Sequence, residues 1–322
     1  MLHAFCIKMF LKKHLKKQLQ VTKDLYLCSR YQRQKVMTTL FDYSGTRYIN
    51  PLTDFGFKRI FGDKEVMKAF LTDLLQPSSP IKDLIFLDKE LGPDNETFRG
   101  VIYDLRCMTE DGCEFIVEMQ NRGQEHFSER ILYYLSRSFS NQKDYGDKDW
   151  DYGLKPIYGV FFLNFHMKGF KPRYLRTIQM TVSETGELFS DKLKAFTLEI
   201  PDFKDKSEDY PKTKIEYWLY ILANMQKFKG QLPFTQEQPV FKKVGRISEI
   251  AHLTPDDLRS YDKNMDNIRT NNEVMSFAKN EGREEGIKEG IYKVAASMKE
   301  MGLPVAQIMQ ATGLSEDEIA AL

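Results

Sequence analysis

Residues 101–120 read VIYDLRCMTEDGCEFIVEMQ. Two arms rich in apolar and β-branched residues flank a TEDGC turn, the pattern of a β-hairpin. Each arm nevertheless carries a carboxylate well inside it, Asp104 in the first and Glu118 in the second. Two turn geometries fit. A two-residue Asp111-Gly112 loop sets Asp104 opposite Met119 and sends the acids to opposite faces of the sheet. A three-residue loop, Glu110-Asp111-Gly112, is a type I turn closed by a left-handed glycine at a bulge. Thr109 then pairs with Cys113, Asp104 lies directly opposite Glu118, and Gln120 shares their face because strand side chains alternate with period two. Opposed carboxylates have Cβ atoms about 5 Å apart and repel each other. Partly buried, they raise each other's pKa or take a cation between them. Mg²⁺, a hard ion that accepts carboxylate oxygens and keeps several waters, suits such a pair. The competing reading makes one acid a solvent-facing edge residue paired with Arg106 or Arg122.

The hairpin is framed by other elements. Residues 51–76 carry a helix start at Thr53 or Asp54. Phe57, Ile60, Phe61, Phe70, Leu71 and Leu74 follow at spacings of three and four, with a turn at Gly62-Asp63 that divides the segment. IKDLIFLDKEL (81–91) reads as a first strand and residues 122–142 as an amphipathic helix. PIYGVFFLNF (156–165) is a near-continuous apolar run, the mark of a buried central strand. YLRTIQMTV (174–182) and AFTLEI (195–200) extend the sheet. This order predicts an α/β domain, a mixed sheet flanked by helices, over 47–205. A mostly helical C-terminal region follows, divided into a helical extension at 206–270 and a charged glycine-repeat helix with a small helical tail at 271–322.

The 322 residues, 42% apolar and 13% aromatic, are ample for a packed core. No apolar run reaches the eighteen residues that a membrane helix needs, so no membrane association is expected. The four cysteines (Cys6, Cys28, Cys107, Cys113) form no C-x-x-C pair and suggest neither a disulfide framework nor a zinc site. They read as buried or idle thiols of a cytoplasmic protein. Within the net charge of +1, residues 1–36 hold nine Lys/Arg against one acid, Asp24, so residues 37–322 stand at −7. Met37 opens the densely patterned part. The expectation is a basic extension over 1–46 that is disordered or not native, with a true start at Met37; a functional basic arm is the alternative.

RYINPLTDFGFKRIFG (47–62), the D104…E118-M-Q120 pattern and the block EFIVEMQNR followed by SERILYYLSRSFSNQ resemble the PD-(D/E)xK nuclease family transposases, relatives of the recombination-promoting nucleases. GREEGIKEG and the terminal ATGLSEDEI are similar to that family's tail, and the resemblance spans most of 47–322. It implies a restriction-endonuclease-like sheet and metal-dependent hydrolysis of DNA phosphodiesters, an endonuclease linked to mobile elements or recombination. Asp104 and Glu118 would hold Mg²⁺, with Mn²⁺ as a substitute, and Gln120 would stand where the wider superfamily has a lysine. An amide can bind a water but offers no charge, so Lys58 or Arg130 is the candidate source of positive charge at the substrate. Asp54, in the opening block, would be a helix cap, a further site acid, or both. The alternative reading is a nuclease fold with weak catalysis that binds DNA or protein through its helical C-terminal half.

With −7 over residues 37–322, a lone domain is expected to grip DNA weakly. Ala278, Gly282, Gly286 and Gly290 repeat every four residues, and each interior glycine costs about 1 kcal/mol against alanine. The small face they make predicts close helix approach, within the chain or in a homodimer; a loose linker helix is the alternative. The tail has the rhythm of a helix-turn-helix. Its second helix would open on Ser315 and three acids, a good cap but a poor phosphate neighbour, which points to packing or protein contact.

Overall fold

The computed structural model describes residues 45–78, 81–91, 101–142 and 153–322. Most of the expected basic extension, with Cys6, Cys28 and Met37, lies outside these residues. Helix α1 (Asp54–Phe61) starts at Thr53, whose hydroxyl accepts the Gly56 N–H at 2.8 Å. An added Cβ at Gly56 would stand 2.1 Å from the Asn50 carbonyl oxygen, so only glycine lets the chain close over this helix start. Asp63 caps α2 (Lys64–Leu75) by accepting the N–H groups of Glu65 and Val66 at 3.0 and 3.2 Å. Short strands β1 (Leu84–Phe86), β2 (Glu90–Leu91) and β3 (Val101–Ile102) come next. The segment expected as one strand over 81–91 is therefore two.

The hairpin consists of β4 (Leu105–Thr109) and β5 (Glu114–Gln120), followed by α3 (Phe127–Ser140), β6 (Ile157–Leu163), β7 (Leu175–Thr181) and β8 (Leu188–Glu199). Six strands form one sheet in the order β1-β4-β5-β6-β8-β7, while β2 and β3 pair separately. β6 runs parallel to both its neighbours, β5 and β8, and the other pairings are antiparallel. A strand with parallel neighbours and both faces covered needs an almost unbroken apolar sequence, which IYGVFFL supplies. Alternation then divides β5 between two cores. Phe115, Val117 and Met119 face a core with Phe57, Phe61 and Phe70 of α1 and α2; Ile116 faces a second one with Phe127, Ile131 and Leu135 of α3.

Two more helices, α4 (Lys214–Asn224) and α5 (Val240–Ser248), complete the first core. The sequence boundary near residue 205 separated them from the sheet domain, because helical periodicity looks the same in an appended bundle and in a layer on a sheet. Trp218 and Phe241 instead pack ring to ring at 4.7 Å, and Trp218 reaches Phe70 at 5.6 Å. The buried Asp73 of α2 accepts both the Trp218 indole N–H at 2.9 Å and the Gln238 amide at 2.8 Å. A carboxylate buried this deeply is tolerable only with such donors around it. The compact unit accordingly runs on to Asp262, and residues Lys263–Leu322 form a second.

Helix α6 (Pro255–Glu300) passes from the first unit into the second, which ends in α7 (Val305–Thr312) and α8 (Glu316–Ala320). Ala295, Ile308 and Ile319 make a small core there. Gly313, at φ +74°, ends α7, and a Ser315–Glu318 capping box starts α8. An added Cβ at Gly282, Gly286 or Gly290 meets nothing within 4 Å, so these glycines serve no helix packing among the described residues. No helix of the described residues is long and apolar enough to cross a membrane.

Replacing Trp218 with Ala removes a fully buried ring and one of the two close donors to Asp73. We expect a loss of about 3–5 kcal/mol, read as a lower urea midpoint of the first unit, whereas a separate helical extension would leave that midpoint unchanged.

Candidate active site

The hairpin turn is the three-residue one. Gly112 adopts φ +84°, its N–H donates to Thr109 O at 3.0 Å, and Thr109 N–H donates to Cys113 O at 3.0 Å. The ladder then runs without slip from Met108 opposite Glu114 to Leu105 opposite Val117. One step further, at Asp104 and Glu118, backbone pairing gives way to a reciprocal exchange between side chains and amides. Asp104 N–H donates to Glu118 Oε1 at 3.0 Å, and Met119 N–H donates to Asp104 Oδ2 at 2.9 Å. The strands part here, and the two carboxylates fill the fork. Arg106 takes no part, since it holds the buried Glu114 through two bonds of 2.5 and 3.0 Å.

Each carboxylate keeps one oxygen that no backbone amide pins. On Asp104 this is Oδ1, which faces Lys58 Nζ of α1 at 3.6 Å. On Glu118 it is Oε2, which accepts the Gln120 amide at 3.0 Å and faces the Arg130 guanidinium of α3 at 3.8 Å. Lys58 also pairs with Asp54, one helical turn earlier. Because Thr53 does the capping, the Asp54 side chain is left for this pair. Arg130 is tied down by Tyr134, whose hydroxyl accepts its Nη2–H at 2.8 Å and whose ring lies 4.9 Å beneath it, and by Gln124 at 3.2 Å. Tyr134 is in turn wedged against Tyr103, edge to face at 5.4 Å. Asp54, Lys58, Asp104, Glu118, Gln120 and Arg130 thus gather at one end of the sheet, with α1 contributing from one face and α3 from the other.

Burial, followed by the nearby charge of Asp104, pushes the Glu118 carboxyl up to about 7. The Asp104 N–H, Arg130 and Gln120 oppose that rise. Asp104 is also raised, first by burial, against the pull of Met119 N–H and Lys58. Burial pulls Lys58 down, but its contacts with Asp54 and Asp104 outweigh this and leave it raised. Two adjoining acids held against their preference for water are the pattern of a functional site more than of a structural pair.

A second cluster had no forecast from sequence. The fully buried Glu199, at the end of β8, bonds His166 Nδ1 at 2.7 Å, Met167 N–H at 3.2 Å and Arg176, and Asp202 lies 3.8 Å from His166 Nε2. His166, Glu199 and Asp202 have the spacing of metal ligands. The guanidinium of Arg176 already neutralises Glu199, however, which marks the cluster as an internal ion pair. The available signal was the one that exposed Glu118, an acid at the end of the apolar strand AFTLEI.

A mixed sheet with a helix before it, a helix after its second acidic strand, and two acids at a fork between adjacent strands is the PD-(D/E)XK nuclease fold. The sequence profile described as PD-(D/E)XK nuclease family transposase matches residues 51–278, and the chain belongs to that family. A second profile, the C-terminal HTH domain of the Rpn/YhgA-like nuclease family, matches residues 288–322, which contain α7 and α8. No curated protein and no solved structure matches the chain.

The raised Glu118 carries a stability signature. A folded-state carboxyl above its unfolded value binds its proton more tightly in the native protein, so stability present below about pH 4.5 declines as pH climbs towards 7. Glu118→Gln removes that decline. In metal-free buffer the variant should match the parent at pH 5 and exceed it at pH 8 by about 1–3 kcal/mol, measured by urea unfolding.

Proposed function

We propose that the chain is a Mg²⁺-dependent DNA endonuclease of the PD-(D/E)XK type, acting in the cytoplasm on mobile-element or recombination substrates. The observation that carries this reading is the fork, where one oxygen of Asp104 and one of Glu118 that no backbone amide pins lie beside two cationic side chains, Lys58 at 3.6 Å and Arg130 at 3.8 Å. The two oxygens are hard donors, and Mg²⁺ or Mn²⁺ accepts such a set. When bound, the ion supplies Lewis-acid polarisation of the phosphoryl group and a nucleophile at neutral pH.

The chain's own residues supply the rest. The two pinned amides hold the carboxylates in place before substrate arrives, which lowers the reorganisation that the reaction needs. Gln120 spends its amide N–H on Glu118 and keeps a carbonyl oxygen that can orient a water, but it carries no charge. Lys58 and Arg130 stand on either side of the acids and are the cations within reach of a substrate phosphate. Asp54 holds Lys58 beside the fork, and the Tyr134 hydroxyl and ring hold Arg130 there. Two other basic groups are engaged elsewhere. Arg59 bonds Ile247 O and pairs with Asp257, while Arg176 serves Glu199.

Plasmid nicking in Mg²⁺ tests the reading. Asp104→Ala and Glu118→Ala should each lower the rate by on the order of 100-fold or more, the size expected when several kcal/mol of charge stabilisation is lost. Equal nicking by parent and both variants would overturn it. Slow cleavage even by the parent would favour the second reading, a DNA- or protein-binding module in which Gln120 marks weakened catalysis.

We also infer a homodimer through the Ala278/Gly282/Gly286/Gly290 face, supported by glycines that are open among the described residues. Gly286→Leu should lower the mass seen by light scattering from dimer to monomer. An unchanged mass would remove the dimer.

A further inference from the structure

Lys58 occupies ground that a divalent cation would also claim. Its Nζ pairs with Asp54 and stands 3.6 Å from Asp104 Oδ1, the oxygen that the backbone leaves unpinned. The other cation at the fork is differently placed. Arg130 is further from its acid, at 3.8 Å, and is fastened by bonds to Tyr134 and Gln124. Lys58 has a flexible four-carbon stem, a side chain about one-third exposed, and a second acid already within reach. It can leave Asp104 and still keep a partner.

Two partly buried carboxylates side by side repel each other, and a fork without a neutralising charge would tend to open. We propose that Lys58 is a tethered counter-ion that competes with the divalent ion for Asp104. In the metal-free protein the ammonium shares Asp54 and Asp104; when the ion takes Asp104, Lys58 retreats onto Asp54 alone. The inference rests on the reading of Asp104 and Glu118 as the metal pair. It gives Lys58 a regulatory role, because the chain's metal affinity is lower than its two acids alone would set. Half-occupancy is moved to higher ion concentration without any change in the ligands.

The test is Mn²⁺ binding to the full-length protein, followed by electron paramagnetic resonance in the absence of DNA. Lys58→Met should bind Mn²⁺ roughly tenfold more tightly than the parent, the scale left by one charge contact at about 4 Å after solvent screening. Lys58→Arg, which keeps the charge, should stay within about threefold of the parent. Lys64→Met removes a nearby α2 lysine that pairs with Asp83 and should leave the affinity unchanged. Equal or weaker binding by Lys58→Met, with binding still abolished in Asp104→Asn, overturns the competition while leaving the metal pair intact. The same tightening in Lys64→Met overturns it too, by reducing the effect to the general field of the protein. Parent-like Mn²⁺ binding by Asp104→Asn would instead remove the metal pair, and the competition with it.

Discussion

Asp104 and Met119 each give a backbone N–H to a carboxylate on the opposite strand, and the site is organised around that exchange. A hairpin that continued its ladder past Leu105 and Val117 would use those amides for strand pairing. Here the side chains intervene, the strands separate, and a backbone amide holds one oxygen of each acid, while the other lies beside Lys58 on Asp104 and beside Gln120 and Arg130 on Glu118. The two amides also make burial of the acids tolerable, since a carboxylate loses less on leaving water when fixed donors replace its hydration. The raised Glu118 shows that the compensation is incomplete. Lys58 and Arg130 stand where they offset part of the remaining cost.

Placing that charge depends on both cores. Lys58 and Asp54 ride on α1, whose buried face of Phe57, Ile60 and Phe61 packs on the side of the sheet shared with Trp218 and Phe241. Arg130 and Tyr134 ride on α3, whose Phe127, Ile131 and Leu135 pack on the other side. The superfamily pattern places its lysine on the strand itself, two residues past the second acid. This chain has Gln120 there and has positive charge arriving from the helices on each face. Side chains carried on helices can shift independently of the strand pair, whereas a strand lysine shares its rigidity.

Much of this was legible in the amino-acid order, and the limits have physical causes. The carboxylate register was one of two that the TEDGC turn allowed, because Gly112 suits a two-residue and a three-residue loop alike; the Thr109–Cys113 pair decides for the three-residue one. The central strand followed from its unbroken apolar run. Thr53 and Asp54 could not be told apart as caps, since either side chain satisfies the free amides of a first turn; geometry gives that task to Thr53. How far the compact unit runs past residue 205 was not legible, because an amphipathic helix does not say what its apolar face will cover. Glu199 was overlooked because Arg176 lies more than twenty positions away, and no local pattern links them.

The acidic balance of residues 37–322 bears on how DNA would be held. Arg59, Arg106 and Arg176 are all spent on carboxylates or carbonyls inside the fold. With that charge balance, a firm grip on DNA would draw on local groups of cations, those at the fork among them, or on a second attachment point. The C-terminal unit is the obvious place for one, yet α8 opens with Glu316, Asp317 and Glu318, and Glu318 is committed to Ser315 and Tyr292. Three acids at the start of a reading helix would meet phosphates of the same sign. A helix-turn-helix so charged is better suited to a protein surface, or to a groove reached by another of its faces.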